Sequence, residues 1–264
     1  MSEQYLITED KLRTLREFRL MDDTFMAKFF EKQPECTELL LHIILENESI
    51  HVSEVIAQCS IQNLQGRSIR LDIYAKDDTG KPYNIEVQRA PKGASRKRAR
   101  YNSSILDANM TESGDAYDSL PDSYVIFITE TDVLGQNRPI YHIERTILEN
   151  NMPFDDGSHI IYVNAERKDD TPLGLLMQDF YCKNPHDMHY SLLKQRATYL
   201  KENPEGVTTM CELMEDMMEN VIKDDRRKNA CKMLEGGKLS YEEIAEYSGL
   251  TVQEVKALDE DRTA

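Results

Sequence analysis

The sequence has no long apolar run. Its longest, Leu39 to Leu45, is interrupted by His42 and falls far short of the roughly 18 residues that a membrane-spanning helix needs. No membrane-embedded segment is therefore expected. The N-terminus also lacks a basic start followed by an apolar core, so no secretory leader is expected. Cysteine is sparse and odd in number: Cys36, Cys59, Cys182, Cys211 and Cys231, with no C-x-x-C. That pattern argues against a disulfide framework and for reduced thiols in the cytoplasm. Cys182 lies near His186 and His189, but Pro185 breaks the local helix. A loop surface accounts for them better than a zinc site. Positive charge is in deficit as well, with 32 Lys and Arg against 48 Asp and Glu and a net charge of −16. This excludes a uniformly basic nucleic-acid-binding coat. Internal repeats and low-complexity stretches are missing too. What remains is a globular chain of 264 residues, enough for one large α/β domain or a medium domain with an appendage.

The charge that is present is unevenly spread. Between Gly66 and Tyr101 there are ten cations and four anions, a net of +6 that leaves −22 for the rest of the chain. A basic island in an acidic chain localises an anionic partner. Around it the element signals are ordered. Residues 10–33 have a helical pattern that Pro34 ends, and Thr37 to Leu45 is apolar nearly all round, as in a buried helix. Val52 to Ile61 is β-branched. Ser68 to Ala75 and Tyr83 to Arg89 alternate with period two, which places each set on one face of a sheet. Asp77-Asp78-Thr79-Gly80 is a hairpin-turn signal between them. Ala94 to Thr111 reads as a long helix, basic in its first half. Ser123 to Thr129, Ile140 to Leu148 and His159 to Val163 read as strands, and after Pro172 only short helices are expected.

The hairpin makes a specific claim. If its turn centres on Thr79, Asp72 stands opposite Glu86, Arg70 opposite Gln88 and Tyr74 opposite Asn84. Opposed antiparallel residues have Cβ atoms about 4.5–5.5 Å apart. Both carboxylates then share the face opposite the apolar side chains, and a slip of one residue would separate them. Two acids so close repel, and a hard divalent cation relieves the conflict. Mg²⁺ typically takes one or two protein carboxylates, several waters and substrate phosphate oxygens. The same residues would also suit a solvent-facing salt-bridge ladder with Arg70 and Arg89.

Leu71-Asp72-Ile73, a hairpin, then Ile85-Glu86-Val87-Gln88 resembles the PD-(D/E)XK nuclease signature. More closely, it is similar to the Rpn-like, transposase-associated branch, in which E-x-Q stands for E-x-K. Asp22-x-x-Phe25-x-x-x-Phe29, Arg98-Ala99-Arg100-Tyr101, Leu106-Asp107-Ala108-Asn109 and Tyr124-Val125-Ile126-Phe127-Ile128 extend the likeness over about 15–165. The resemblance implies an α/β restriction-endonuclease-like core, a central mixed sheet flanked by helices, and Mg²⁺-dependent hydrolysis of DNA linked to transposition or recombination. By position it makes Asp72 and Glu86 metal ligands, with the Val87 carbonyl as a third. Gln88 replaces the superfamily lysine and can orient water or donate to a phosphate, but cannot act as a base. A helix acid completing the site is sought among Asp22, Asp23, Glu38 and Glu46. Arg96, Arg100 and Tyr101, on the following helix, are the expected DNA contacts.

The nuclease-like domain is expected over 1–168 and an α-helical C-terminal region over 169–264, the latter offering a surface for a homo-oligomer. Ser240 with Glu243 and Thr251 with Glu254 are capping boxes, and Gly249 suits the turn between two helices. The fingerprint is helix-turn-helix-like, yet Tyr241 to Ala264 carries a net −5. A helical hairpin that packs or binds a partner fits that charge better than DNA docking. The rival to an endonuclease is a catalytically inactive family member acting as a DNA- or protein-binding module.

Overall fold

A computed structural model describes residues 8–63, 67–111 and 114–263. Three helices come first: α1 (Glu9–Glu17), α2 (Asp23–Phe30) and α3 (Pro34–Leu45). The single helix expected over 10–33 is thus two, parted at Phe18–Asp22. Tertiary bonding explains the break. Met21 donates its backbone N–H to Phe180 O at 3.3 Å, and the Asp22 carboxylate accepts from Arg19 N at 2.8 Å. Neither bond is compatible with a continuous i→i−4 ladder. Pro34 occupies the first turn of α3, where its missing N–H costs nothing.

The strands follow: β1 (Val52–Ile61), β2 (Ile69–Asp77) and β3 (Pro82–Gln88), then α4 (Arg96–Met110), β4 (Ser123–Thr129), β5 (Ile140–Ile143), β6 (Thr146–Ile147), β7 (Met152–Pro153) and β8 (Ser158–Asn164). Six of them form one mixed sheet in the order β1-β2-β3-β4-β8-β5. β1 to β3 are antiparallel, β3-β4 and β4-β8 are parallel, and β5 runs antiparallel to β8. A parallel neighbour requires a crossover, and α4 supplies it between β3 and β4. The strand expected over 140–148 stops at Ile143. The chain then turns into a β6-β7 hairpin whose turn holds Asn151 at φ 56. Asparagine tolerates that left-handed geometry better than most residues.

Both faces of the sheet centre are covered. Val125, Phe127 and Tyr162 pack with Ala94, Ala99 and Leu106 on the α4 side, while the alternate residues Ile73, Ile85, Ile126 and Ile128 are equally buried. Every residue of β3 from Pro82 to Val87 is buried. The face expected to be open and polar is therefore roofed by α4. This overturns the reading of Asp72 and Glu86 as part of a solvent-facing ladder. It is the sheet centre's parallel pairing that brings a crossover helix over Glu86.

The remaining helices are α5 (Pro172–Tyr181), α6 (Ser191–Glu202), α7 (Pro204–Gly236), α8 (Tyr241–Ser248) and α9 (Val252–Thr263). The described chain forms two compact units, one over Glu9–Val207 and one from Thr208 onward. Within the first, α5 packs on α3, and α6 packs on α2 and α3. Lys201 fastens α6: its buried Nζ donates to Phe18 O at 2.6 Å, to Arg16 O at 3.2 Å and to Lys183 O. The C-terminal helices are not all short, since α7 runs for 33 residues. In the second unit Ala230, Leu234, Ile244, Ala245 and Val255 form a small core. Ser240 and Glu243 make the reciprocal capping box, and Gly249 takes φ 70. No described helix is long and apolar enough to cross a membrane.

Candidate active site

The site begins at a turn far from its chemistry. The Asp77 Oδ1 accepts from Thr79 N (2.9 Å), Thr79 Oγ1 (2.7 Å) and Lys81 N (3.0 Å), and Oδ2 accepts from the Tyr83 hydroxyl at 2.9 Å. Gly80 completes the reversal at φ 87, a conformation that suits glycine. This sets the register: Lys76↔Pro82, Ala75↔Tyr83, Tyr74↔Asn84 and Ile73↔Ile85. It is the register expected from a turn centred on Thr79, but the ladder ends at Ile73↔Ile85, so the expected Asp72–Glu86 and Arg70–Gln88 pairs are not part of it. At the next position the Asp72 carboxylate accepts the Val87 N–H at 3.0 Å. Gln58, which the β1–β2 register would set beside Asp72, has φ 53, so the sheet is irregular here.

Gln88 ties the acids together. Its Nε2 donates to Asp72 Oδ2 at 3.3 Å and to Glu86 Oε2 at 3.4 Å, so one amide reaches both carboxylates. Asp72 is half-buried and Glu86 is fully buried. Two groups on α4, not singled out as site residues from the sequence, close over Glu86. Arg98 Nη2 donates to Glu86 Oε2 at 2.5 Å, while its Nη1 reaches Gln88 Oε1 at 3.4 Å and Gly93 O at 3.0 Å. Asn102 Nδ2 donates to Glu86 Oε1 at 3.4 Å. Ser95 caps the helix by accepting from Arg98 N, which sets the phase that points both side chains at the sheet. Asn102 was legible in principle. It falls between Ala99 and Leu106 on one helical face, and a polar residue in an apolar stripe calls for a partner.

Burial pushes the carboxyl pKa of both acids well above the ordinary range. For Asp72 the Val87 N–H opposes the rise, the charge of Asp23 adds to it, and Arg98 and Gln88 oppose it. For Glu86 the charge of Asp72 adds to burial and Arg98 opposes both. Burial and mutual repulsion thus disfavour ionising both acids together, which is the condition that a cation relieves.

The four helix acids separate. Asp22 accepts from Arg19 and from Arg89 Nη1 at 2.9 Å. Glu38 accepts from Val52 N at 2.9 Å, and Glu46 is exposed at the end of α3. Asp23 is the one whose charge acts on Asp72. Among the described residues no three His, Cys, Asp or Glu side chains cluster closely enough to hold a metal ion together. Cys182 donates to Asn184 O, and His186 and His189 face Glu202 and Gln178.

Two carboxylates still fit a hard ion that keeps most of its waters. A second observation agrees. Both amide atoms of buried Asn84 and the Oδ1 of Asn102 have no hydrogen-bond partner in the protein, and a hydrated ion beside Glu86 would offer them partners. The Asn84 amide lowers the Glu86 pKa, although its geometry falls short of a hydrogen bond. Asp72 and Glu86 would hold the ion. Val87 is buried and its amide donates to Asp72.

Beside the pair lies an open groove of about 1020 Å³. Arg67, Arg70, Lys92, Lys97, Arg98 and Arg100 line it, and no described acid does. Arg98 and Asn102 belong to both the groove and the carboxylate pair. Arg100 and Tyr101 line the groove, but the Tyr101 hydroxyl is engaged with Arg67 O and Asn63 Nδ2. Arg96 instead lines a separate hollow with Leu134, Ile143 and Tyr162. Arg89 pairs with Asp22 and Glu130.

A mixed sheet with a carboxylate pair on its β2–β3 hairpin and a crossover helix above it defines the restriction-endonuclease-like class. Over residues 31–233 the sequence matches the family described as PD-(D/E)XK nuclease family transposase. The chain belongs to that family. No curated protein and no solved structure matches it.

Proposed function

We propose that this protein is a Mg²⁺-dependent DNA endonuclease that hydrolyses phosphodiester bonds in the service of transposition or recombination. The observation that carries this reading is the pair itself: Asp72 and Glu86 reached by one Gln88 amide, at the edge of an acid-free basic groove. Groove cations would bind the phosphate backbone and set its register without reading sequence. Asp72 and Glu86 would hold the ion, and the ion, when bound, would supply Lewis acidity toward water and a phosphate oxygen. Gln88 would orient a water or donate to the phosphate; as a neutral amide it takes no proton. Arg100 and Tyr101 would contact DNA from the groove wall, with Arg96 further round the helix. All five cysteines are free thiols, which suits a cytoplasmic setting. Exposed Met217, Met218, Val221 and Ile222 on α7 would support self-association through the C-terminal helices.

Supercoiled plasmid incubated with the full chain and Mg²⁺ is expected to be nicked or linearised. Asp72→Asn is expected to lose at least about a hundredfold in rate, and chelation is expected to abolish cutting. Equal cutting by the variant, or none by the wild type, would discard the reading. A second reading, an inactive member acting as a DNA- or protein-binding module, draws on the Arg98–Glu86 contact at 2.5 Å, which neutralises one acid without any ion.

A further inference from the structure

The carboxylate pair already has a cation of the protein's own. Glu86 is fully buried, while the Arg98 side chain is 36% exposed and borders the groove. The guanidinium spans the two environments. Its Nη2 meets Glu86 Oε2, its Nη1 meets Gln88 and the Gly93 carbonyl, and its carbon lies 6.0 Å from the centre of the Phe127 ring. Glu86 Oε2 accepts from both Arg98 and Gln88. A divalent ion held between Asp72 and Glu86 would need a Glu86 oxygen, and a guanidinium on the same carboxylate would repel it strongly in so buried a place.

We propose that Arg98 is an internal counter-cation that competes with the divalent ion for Glu86. It neutralises the buried acid while no ion is bound, and it must give way before the pair can bind one. The displaced guanidinium has somewhere to go, because it already faces a groove lined by five other cations in which phosphate would be its natural partner. Arg98 is thus a positioning residue that sets how tightly the site takes its ion. This inference rests on the reading of Asp72 and Glu86 as the ion-holding pair.

The test measures binding, not cutting. Free Mn²⁺, an ion with the same preference for oxygen ligands as Mg²⁺, is counted by electron paramagnetic resonance. It is titrated into the full chain at mildly alkaline pH, where protons compete least. Arg98→Gln is expected to bind Mn²⁺ on the order of tenfold more tightly than wild type. Arg98→Lys should fall between them, because lysine keeps the charge but loses the fork. With Glu86→Gln also present, Arg98→Gln should bring no gain. Equal or weaker binding by a folded Arg98→Gln, while the wild type binds, overturns the proposal and leaves the paired-acid reading standing. If Arg98→Gln does not fold, Arg98→Lys decides by the same rule. If neither wild type nor either Arg98 variant binds Mn²⁺, the paired-acid reading itself falls and takes this inference with it.

Discussion

At the scale of single residues, Gly93 shows how much a missing side chain can matter. It lies in the short turn before α4, and a Cβ there would stand 1.9 Å from Gln88 Oε1 and 3.0 Å from its Cδ. The obstruction is the end of a flexible chain, so Gly93→Ala should barely change stability, by about 0.5 kcal/mol. The Gln88 amide, however, would be pushed off the two carboxylates it bridges. Plasmid nicking by Gly93→Ala is expected to fall by about a hundredfold, the typical cost of a misplacement near 1 Å. A normal rate with a normal melting curve would show that Gly93 does not position Gln88. Asp72, Glu86 and Gln88 were legible because strand alternation and a recognisable turn constrain them. Arg98 and Gly93 were not, because nothing local says which side of α4, or which turn before it, will rest on the acids.

At the scale of elements, the β2–β3 hairpin is held by Asp77. Burial raises its carboxyl pKa, but the Thr79 and Tyr83 hydroxyls and the Lys81 and Thr79 amides outweigh that and hold it below the ordinary 3.8. A carboxyl depressed on folding stabilises the protein above its unfolded pKa. That contribution is lost as pH falls through the still lower folded value. Asp77→Ala removes the acceptor for all four donors and strands the hydroxyl of Tyr83, a residue only 2% exposed. A loss of about 2–4 kcal/mol at neutral pH is expected in urea unfolding, shrinking once the pH drops well below 3.8. A pH-independent loss would mean that the charge of Asp77 contributes nothing. The turn chemistry was readable because Asp77, Thr79 and Gly80 act on one another within four residues. The break between α1 and α2 was not, because its cause is a bond from Met21 to Phe180, far along the chain.

At the scale of the whole molecule, charge is segregated. Six of the ten cations in the basic stretch that the sequence shows as a net +6 line, once folded, one groove on one side of α4 and β2. Binding of a short DNA duplex should weaken steeply with salt. Lys97→Ala, on the groove wall, should lower the slope of log affinity against log salt by about one and weaken binding to all sequences alike. An unchanged slope would place DNA elsewhere on the surface. The acidic α8–α9 pair packs Ile244, Ala245 and Val255 into a small core with Ala230 and Leu234.

The sequence by itself determined the order of the main elements along the chain, the hairpin register as far as Ile73 and Ile85, the candidate acids with the amide beside them, and the place of the basic island. Each of these depends on neighbours a few residues apart, or on period-two alternation that any strand obeys. Only the tertiary structure decided that Glu86 lies under a helix, that Arg98 and Asn102 of that helix hold it, and that Arg96 parts company with Arg100. Those facts follow from how a crossover helix settles on a parallel sheet. Its rotation about its own axis is set by the packing of Ala99 and Leu106 against Phe127 and Tyr162, contacts that no local pattern encodes.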